Sequence, residues 1–148
     1  MELQSTDTTR PTPWGRADYQ AVIAPGVAWV NTPGHGGFLI GKAVAAKILS
    51  PAACRAGANF GRFLAYEEDC DATIVLFEHP EWMPLLGMNT SKIEVYGMDA
   101  VKQDLLESLS YWRLDYLRDR GIEPDAATVQ GKEDSDKRLR ILRQAVQS

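Results

Sequence analysis

Two polar clusters concentrate the side chains that could perform chemistry in this sequence. Residues 32–37 read Thr-Pro-Gly-His-Gly-Gly, and residues 66–71 read Tyr-Glu-Glu-Asp-Cys-Asp. Histidine is the side chain best suited to exchange protons near neutral pH, and carboxylates can serve as general acid and base beside it. If the fold brings the clusters together, the candidate catalytic residues are His35, Glu67 and Glu68.

The same cluster offers ligands for a divalent metal. An imidazole combined with carboxylates suits Mn²⁺, Fe²⁺ or Zn²⁺, and we predict His35 and Asp69 as the ligands. No established spacing such as His-Glu-x-x-His is present, and the acidic residues would serve equally well at the N-terminus of a helix. The cofactor is therefore left open, with a divalent metal as the candidate.

A binding surface near these residues would include Gly36, Gly37, Tyr66 and Cys70. Glycine lets another group approach the backbone closely, because no β-carbon stands in the way. Cys70 is also a candidate nucleophile with His35 as its base, but the neighbouring carboxylates favour the thiol over the reactive thiolate. Trp82 would add an aromatic binding patch if it were exposed. The alternative for His35 is a hydrogen-bonded structural role in the turn.

The elements expected to hold these residues begin with a small antiparallel sheet. Short apolar runs at 21–23, 27–30 and 38–40 are separated by turn residues, which predicts strands. An Ala-rich helix follows at 42–49, and Ser50-Pro51 predicts the cap and first position of a second helix that ends before Gly57. Residues 59–65 fit a strand or a loop, and we favour a helix over a strand at 72–77.

The second half of the chain is predicted to be mainly helical. Residues 81–96 read as a loop with a strand at 92–96, and the clearest helix spans about 99–120, with Asp99 as its N-cap and Gly121 as its stop. A linker at 122–131 then leads to an amphipathic helix from about 133 to 147. The predicted fold is α+β: a flexible N-terminus at 1–13, one domain at 14–121, and a linker with a C-terminal helix at 122–148.

Composition narrows the function classes. The net charge of −4 argues against a nucleic-acid-binding role for the domain as a whole, because phosphate binding needs a surplus of basic residues. The N-terminus lacks the apolar core of a signal peptide, and no apolar run is long enough to span a membrane. We therefore expect a cytoplasmic protein whose two cysteines are free thiols.

The order of four motifs resembles an uncharacterised family from bacteriophages, plasmids and other mobile elements, some of whose members lie next to anti-restriction modules. The motifs are Trp14-Gly15, Ile-Ala-Pro-Gly at 23–26 and the two polar clusters. The resemblance covers about residues 14–80. An aromatic residue often follows the acidic cluster in that family, where this chain has Ala72. The resemblance implies an origin in a mobile element and carries no activity with it.

Three function hypotheses follow. The first is a phage or mobile-element accessory protein that binds and modulates a host protein, with an anti-phage defence protein as one target; its net negative charge would suit competition for a basic, nucleic-acid-binding surface. The second is a small metal-dependent or acid–base enzyme that uses His35 and the acidic cluster. The third is an oligomeric scaffold built on the helix at 99–120.

Overall fold

The computed structural model describes residues 11–147, and within them the chain is α+β, as predicted. The elements follow the order β1 (Pro11–Thr12), β2 (Gly15–Arg16), β3 (Tyr19–Ala24), β4 (Val27–Asn31), β5 (Gly36–Gly41), α1 (Lys42–Ile48), α2 (Pro51–Ala56), β6 (Ala58–Phe60), β7 (Phe63–Glu67), α3 (Ala72–Glu78), α4 (Trp82–Leu85), α5 (Thr90–Tyr96), α6 (Met98–Trp112), α7 (Leu114–Arg120) and α8 (Ala126–Gln147).

A five-stranded antiparallel sheet forms the centre of the fold, in the order β3-β4-β5-β7-β6. The predicted strands at 21–23, 27–30 and 38–40 lie within β3, β4 and β5, and Pro25-Gly26 forms the turn of the first hairpin. The segment at 59–65, which fitted a strand or a loop, supplies parts of β6 and β7. The small antiparallel sheet is thus confirmed, and β7 is the strand that carries the acidic cluster to β5.

Both faces of the sheet carry buried side chains. Successive side chains of a strand point to opposite sides, so each strand contributes to both faces. The helical side packs Trp29, Phe38 and Tyr66 against the helices, and the Trp29 and Phe38 rings meet edge to face at 4.9 Å. A smaller cluster that includes Val30 and Leu39 packs on the other face. This sheet fixes where the loops at its edges project.

The first three helices agree with the sequence. The Ser50 hydroxyl accepts a hydrogen bond from the Ala53 amide at 3.1 Å, and Pro51 is the first residue of α2. Residues 72–77 form helix α3 in spite of their β-branched side chains, because Ile74 and Val75 lie fully in the core. The acidic cluster does not cap this helix: Glu67 ends strand β7, and the Asp71 side chain pairs with Arg113 instead of a helix amide.

Within residues 81–96, two short helices, α4 and α5, flank a connecting loop at 86–89. The predicted strand at 92–96 was wrong, and the predicted loop is limited to this connection. Pro84 lies in the first turn of α4, where a missing amide hydrogen costs nothing. Helix α5 starts after Asn89, which is left-handed at φ 54°, and ends at Gly97 with φ 89°. Val95 and Tyr96, the apolar residues that suggested a strand, are exposed at its end.

The predicted helix at 99–120 is two helices that meet at Arg113. Gly97 rather than Asp99 is the N-cap of α6, and Gly121 ends α7 in the left-handed conformation, as predicted. Arg113 leaves the helical region at φ −135° and ψ 48°. The break allows Tyr116 and Leu117 of α7 to reach the core, where both are buried.

Regular structure also extends further than predicted at both ends. Helix α8 starts at Ala126, so most of the predicted linker at 122–131 is helix, and its Asp125 side chain accepts hydrogen bonds from the Thr128 amide at 3.0 Å and hydroxyl at 2.6 Å. Strand β1 begins at Pro11, before Trp14, and the remainder of the predicted flexible segment, 1–10, lies outside the described residues. None of the helices between residues 11 and 147 has the length and apolarity needed to cross a bilayer.

Candidate functional site

The two polar clusters meet at one edge of the sheet. Strands β5 and β7 are antiparallel neighbours, and their register places Gly37 opposite Glu67. The Glu68 amide extends this pairing by donating a hydrogen bond to the Gly36 carbonyl at 2.9 Å. His35, one residue earlier, therefore lies beside the acidic cluster, with its Nδ1 atom 3.1 Å from Glu67 Oε1.

The turn that carries His35 is held by Thr32. The Thr32 amide and hydroxyl both donate hydrogen bonds to the His35 carbonyl at 2.7 Å, and the His35 amide donates to the Thr32 hydroxyl at 3.1 Å. The backbone of His35 is thereby fixed while its imidazole remains open to solvent. This arrangement presents the ring instead of burying it.

Asp69 completes a group of three metal-ligating side chains. One ligand atom from each of His35, Glu67 and Asp69 lies within 4.8 Å of the other two. His35 and Asp69 are exposed and Glu67 is half-buried. Glu68 is exposed beside them. The convergence predicted from the sequence is present, on an open surface.

Gly36 and Gly37 are required by the chain's own packing. A β-carbon on Gly37 would lie 2.1 Å from the Tyr66 carbonyl oxygen and 2.9 Å from the ring of Trp14. One on Gly36 would lie 2.6 Å from the Val30 carbonyl oxygen. The close approach that these glycines permit is therefore made by neighbouring strands, and it holds β5 against β7.

Tyr66 and Trp82, predicted as binding residues, belong to the core. Tyr66 is fully buried and donates a hydrogen bond from its hydroxyl to the Ala53 carbonyl at 2.7 Å. Trp82 is 7% exposed and stacks on the His79 ring at 4.2 Å. The condition set for Trp82, that it be exposed, is not met, and the sequence could not show which way either side chain faces.

Burial raises the pKa of Tyr66 above its ordinary value. Because the folded state then holds the proton more tightly than the unfolded state, stability is fully present below the unfolded tyrosine pKa of about 10 and falls as the pH rises above it. We expect the free energy of unfolding, measured in urea between pH 8 and 11, to fall less steeply in Tyr66→Phe than in the unaltered protein. Tyr96→Phe, at an exposed position, should leave the slope unchanged; an equal change in both would contradict the interpretation.

Cys70 lies between β7 and α3 and is half-buried with a free thiol. Burial, and next the charge of Asp71, raise its pKa. Cys54 is also free, and burial raises its pKa as well. Both cysteines are therefore held as thiols, which is poor chemistry for a nucleophile.

Sequence reasoning missed a polar network around Glu78, at the end of α3. This carboxylate is nearly buried and accepts hydrogen bonds from the Ser50 amide at 2.7 Å, the Ser50 hydroxyl at 2.6 Å and the Tyr116 hydroxyl at 2.5 Å, with Arg120 at 3.3 Å. Burial raises the pKa of Tyr116, and the Glu78 hydrogen bond adds to the shift. Glu78 follows Ile74 by four positions, so helical periodicity already placed it on the buried side of α3.

Arg113 forms a second missed network. Its guanidinium pairs with Asp71, which ends the acidic cluster, and with Asp115 at 3.0 Å. The hydrogen bond from Arg113 lowers the pKa of Asp115 and raises that of Arg113. Asp71 thus forms an ion pair with Arg113, whereas no Arg or Lys ion pair within residues 11–147 includes the carboxylates of residues 67–69.

The second exposed feature is the apolar stripe of α8, which we define as Leu139, Leu142 and Val146. Their exposed fractions are 49%, 62% and 86%, and every residue from 136 to 147 is exposed. The stripe lines a shallow depression of about 270 Å³ with Arg143 and Gln147. Nothing within residues 11–147 packs over this half of the helix.

A groove lies near the other half of α8. Its volume is about 330 Å³, and it is bounded by α6, α7 and α8, with Trp112, Val129 and Lys132 among its walls. Trp112 is 60% exposed, packs edge to face on Tyr111 at 4.6 Å and lies under the Lys132 ammonium at 5.1 Å. Exposed tryptophan beside a groove is typical of a contact surface.

These features define an α+β domain with a solvent-facing His–carboxylate cluster on one sheet edge and an added C-terminal helix. The chain belongs to DUF7007, a domain of unknown function, whose model matches residues 7–112. This confirms an uncharacterised family and extends the matched span beyond the 14–80 expected from the motifs. No curated protein and no solved structure matches the chain. Helices α7 and α8 lie beyond the matched span.

Proposed function

We propose that this protein is a phage or mobile-element accessory protein that binds and modulates a host protein, and that α8 makes the contact. The observation that supports it best is the apolar stripe of α8. A helix of a globular protein normally turns such a stripe inward, whereas here Leu142 and Val146 face solvent. An apolar helix face laid into a groove of a partner is a common mode of protein recognition.

The charge around the stripe indicates what kind of groove would fit. Residues 137–147 contain no Asp or Glu, and four basic residues flank the stripe: Lys137, Arg138, Arg140 and Arg143. Complementary charge steers association and selects partners. We therefore infer an apolar groove with an acidic rim, rather than the basic, nucleic-acid-binding surface that the net charge of the whole chain suggested.

Two further features support a protein partner. The groove bounded by α6, α7 and α8 is a second concave surface, and the exposed Trp112 is in its wall. Tryptophan and arginine are enriched at the centres of interfaces. The resemblance of the motifs supports the mobile-element origin, and a host target is proposed because a mobile element acts inside a host cell. A defence protein is the target class that we favour on the same ground.

Leu142→Ser is the change that tests this contact. We expect it to weaken binding of the partner at least about tenfold, because truncation of a central interface residue costs about 1–2 kcal/mol or more. The partner is first captured from an extract of the natural host by the unaltered protein and identified by mass spectrometry. Its affinity for each variant is then measured by calorimetry with purified components.

Ile141→Ser is the matched control. Ile141 is 56% exposed on the same helix but lies about 100° around it from Leu142 and outside the stripe, so the two changes remove similar apolar area from different faces. Equal losses in the two variants, or none in Leu142→Ser, would overturn the assignment to the stripe. Light scattering that shows a dimer of the unaltered chain and a monomer of Leu142→Ser would assign the stripe to a second copy instead.

The contact between His35 and Glu67 favours a second candidate, an acid–base enzyme. A histidine 3.1 Å from a carboxylate is the pairing that proton transfer uses. The two candidates separate at His35→Ala. If His35→Ala keeps both the affinity for the partner and the modulating effect, the result supports the accessory protein. If the partner still binds but the modulating effect is lost, the result supports the enzyme.

A further inference from the structure

We propose that His35, Glu67 and Asp69 form a site for one divalent transition-metal ion, of the class of Zn²⁺ or Mn²⁺. The inference concerns the sheet edge and goes beyond the proposed contact through α8. It requires neither a partner nor a reaction. It rests on the geometry, charge and donor chemistry of the three side chains.

The separations suit a common ion. Ligand atoms that each lie about 2.1 Å from one metal are about 3–4 Å from one another in tetrahedral or octahedral geometry. His35 Nδ1 and Glu67 Oε1 are already 3.1 Å apart. The whole group lies within 4.8 Å, so side-chain rotations that move an atom by about an ångström would complete the set.

The backbone holds the ligands in place from two separate segments. Thr32 fixes the turn that presents His35 through hydrogen bonds of 2.7 and 3.1 Å. The pairing of Gly37 with Glu67 fixes the other side. Since the scaffold is set before any ion arrives, binding would order only the three side chains.

Within residues 11–147, no Arg or Lys side chain forms an ion pair with the carboxylates of residues 67–69. These carboxylates, Glu67, Glu68 and Asp69, are consecutive in the chain. The adjacent Asp71, by contrast, is paired with Arg113. The neighbouring carboxylates repel one another, and this repulsion is stronger than in bulk water because Glu67 is half-buried. A bound divalent cation would offset it.

The donor set selects the class of ion. Ca²⁺ and Mg²⁺ prefer sites made of oxygen atoms, whereas imidazole with carboxylates suits Zn²⁺, Mn²⁺ and Fe²⁺. Three protein ligands leave coordination positions for water, which gives an open site instead of a closed structural one. The exposed side of the cluster gives an ion access to these positions.

Calorimetric titration of the full, metal-free chain with Zn²⁺ alone tests the site. We expect one ion per chain, and we expect His35→Ala and Asp69→Asn each to weaken binding at least about tenfold, since loss even of an outer-shell partner costs about 10–100-fold. The affinity should also fall as the pH is lowered, because protons compete for the ligands. Asp134→Asn removes the same charge from exposed α8 and should leave the affinity unchanged.

Mn²⁺ provides a second readout that reports position. Its unpaired electrons should broaden the amide resonances of residues 34–37 and 67–69 in the unaltered protein and not in Asp69→Asn. No binding of Zn²⁺ would overturn the proposal. Equal binding by all variants, or broadening centred elsewhere, would show an adventitious ion only and would overturn it as well. Circular dichroism of the variants confirms that each is folded, and none of these outcomes depends on α8.

Discussion

Gly37→Ala is expected to lower the free energy of unfolding by about 3 kcal/mol or more, which is a large part of the stability of a typical domain. The added β-carbon would lie 2.1 Å from the Tyr66 carbonyl oxygen, well inside contact distance. That oxygen belongs to the backbone of β7, so it cannot rotate away as a flexible side chain would. Relief requires β5 and β7 to separate, which breaks the centre of the sheet.

Gly34→Ala, in the turn that precedes β5, supplies the control. A β-carbon there would meet no atom within 4 Å, so the change should alter stability by less than about 0.5 kcal/mol. Urea denaturation followed by tryptophan fluorescence measures both variants. A stable Gly37→Ala protein would contradict the close approach of β5 and β7, and with it the placement of His35 beside Glu67.

Glu78→Ala is expected to cost about 3 kcal/mol, because it removes the shared acceptor of Ser50, Tyr116 and Arg120. The Glu78 side chain is only 6% exposed, so water cannot readily replace the lost carboxylate. The Ser50 hydroxyl caps α2, and Tyr116 anchors α7, so one deletion loosens two helices that pack on each other. Thermal denaturation is the measurement.

The stability of Glu78→Gln should lie between that of the unaltered protein and that of Glu78→Ala. Glutamine keeps the volume and one acceptor oxygen, but its amide group is a donor that faces hydroxyl donors. Glu107→Ala, at an exposed position of α6, is the control and should change stability little. If Glu78→Ala and Glu107→Ala had similar stabilities, the buried network would contribute nothing measurable.

The sequence was most informative where a signal is local. Turn residues at Pro25-Gly26, the Ser50-Pro51 start of α2 and the Gly121 stop of α7 depend on backbone geometry that single residues dictate, and all three were confirmed. The convergence of His35 with the acidic cluster was an assumption of the site hypotheses, suggested by the types of residue in the two clusters. The sheet register that produces it, Gly37 opposite Glu67, became visible only in three dimensions.

The errors arose where tertiary contacts override local signals. The apolar stripe at 99–120 continues through Arg113 without interruption, whereas the helix breaks at this residue, whose guanidinium pairs with Asp71, forty-two residues earlier. The strand predicted at 92–96 relied on apolar residues that the fold leaves exposed. Tyr66 and Trp82 face the core. The spacing of apolar residues in the sequence does not show which face of a strand or short helix packs against the core.

The family match ends at Trp112, but the folding unit does not. Tyr116 and Leu117 are buried in the same core as the sheet, although they lie beyond the matched span. A polypeptide trimmed at that boundary would lose both side chains and expose the apolar surface beneath them. In a chain that shared only the matched span, other residues would have to cover this apolar surface, so the matched span and α7 are expected to fold as one unit.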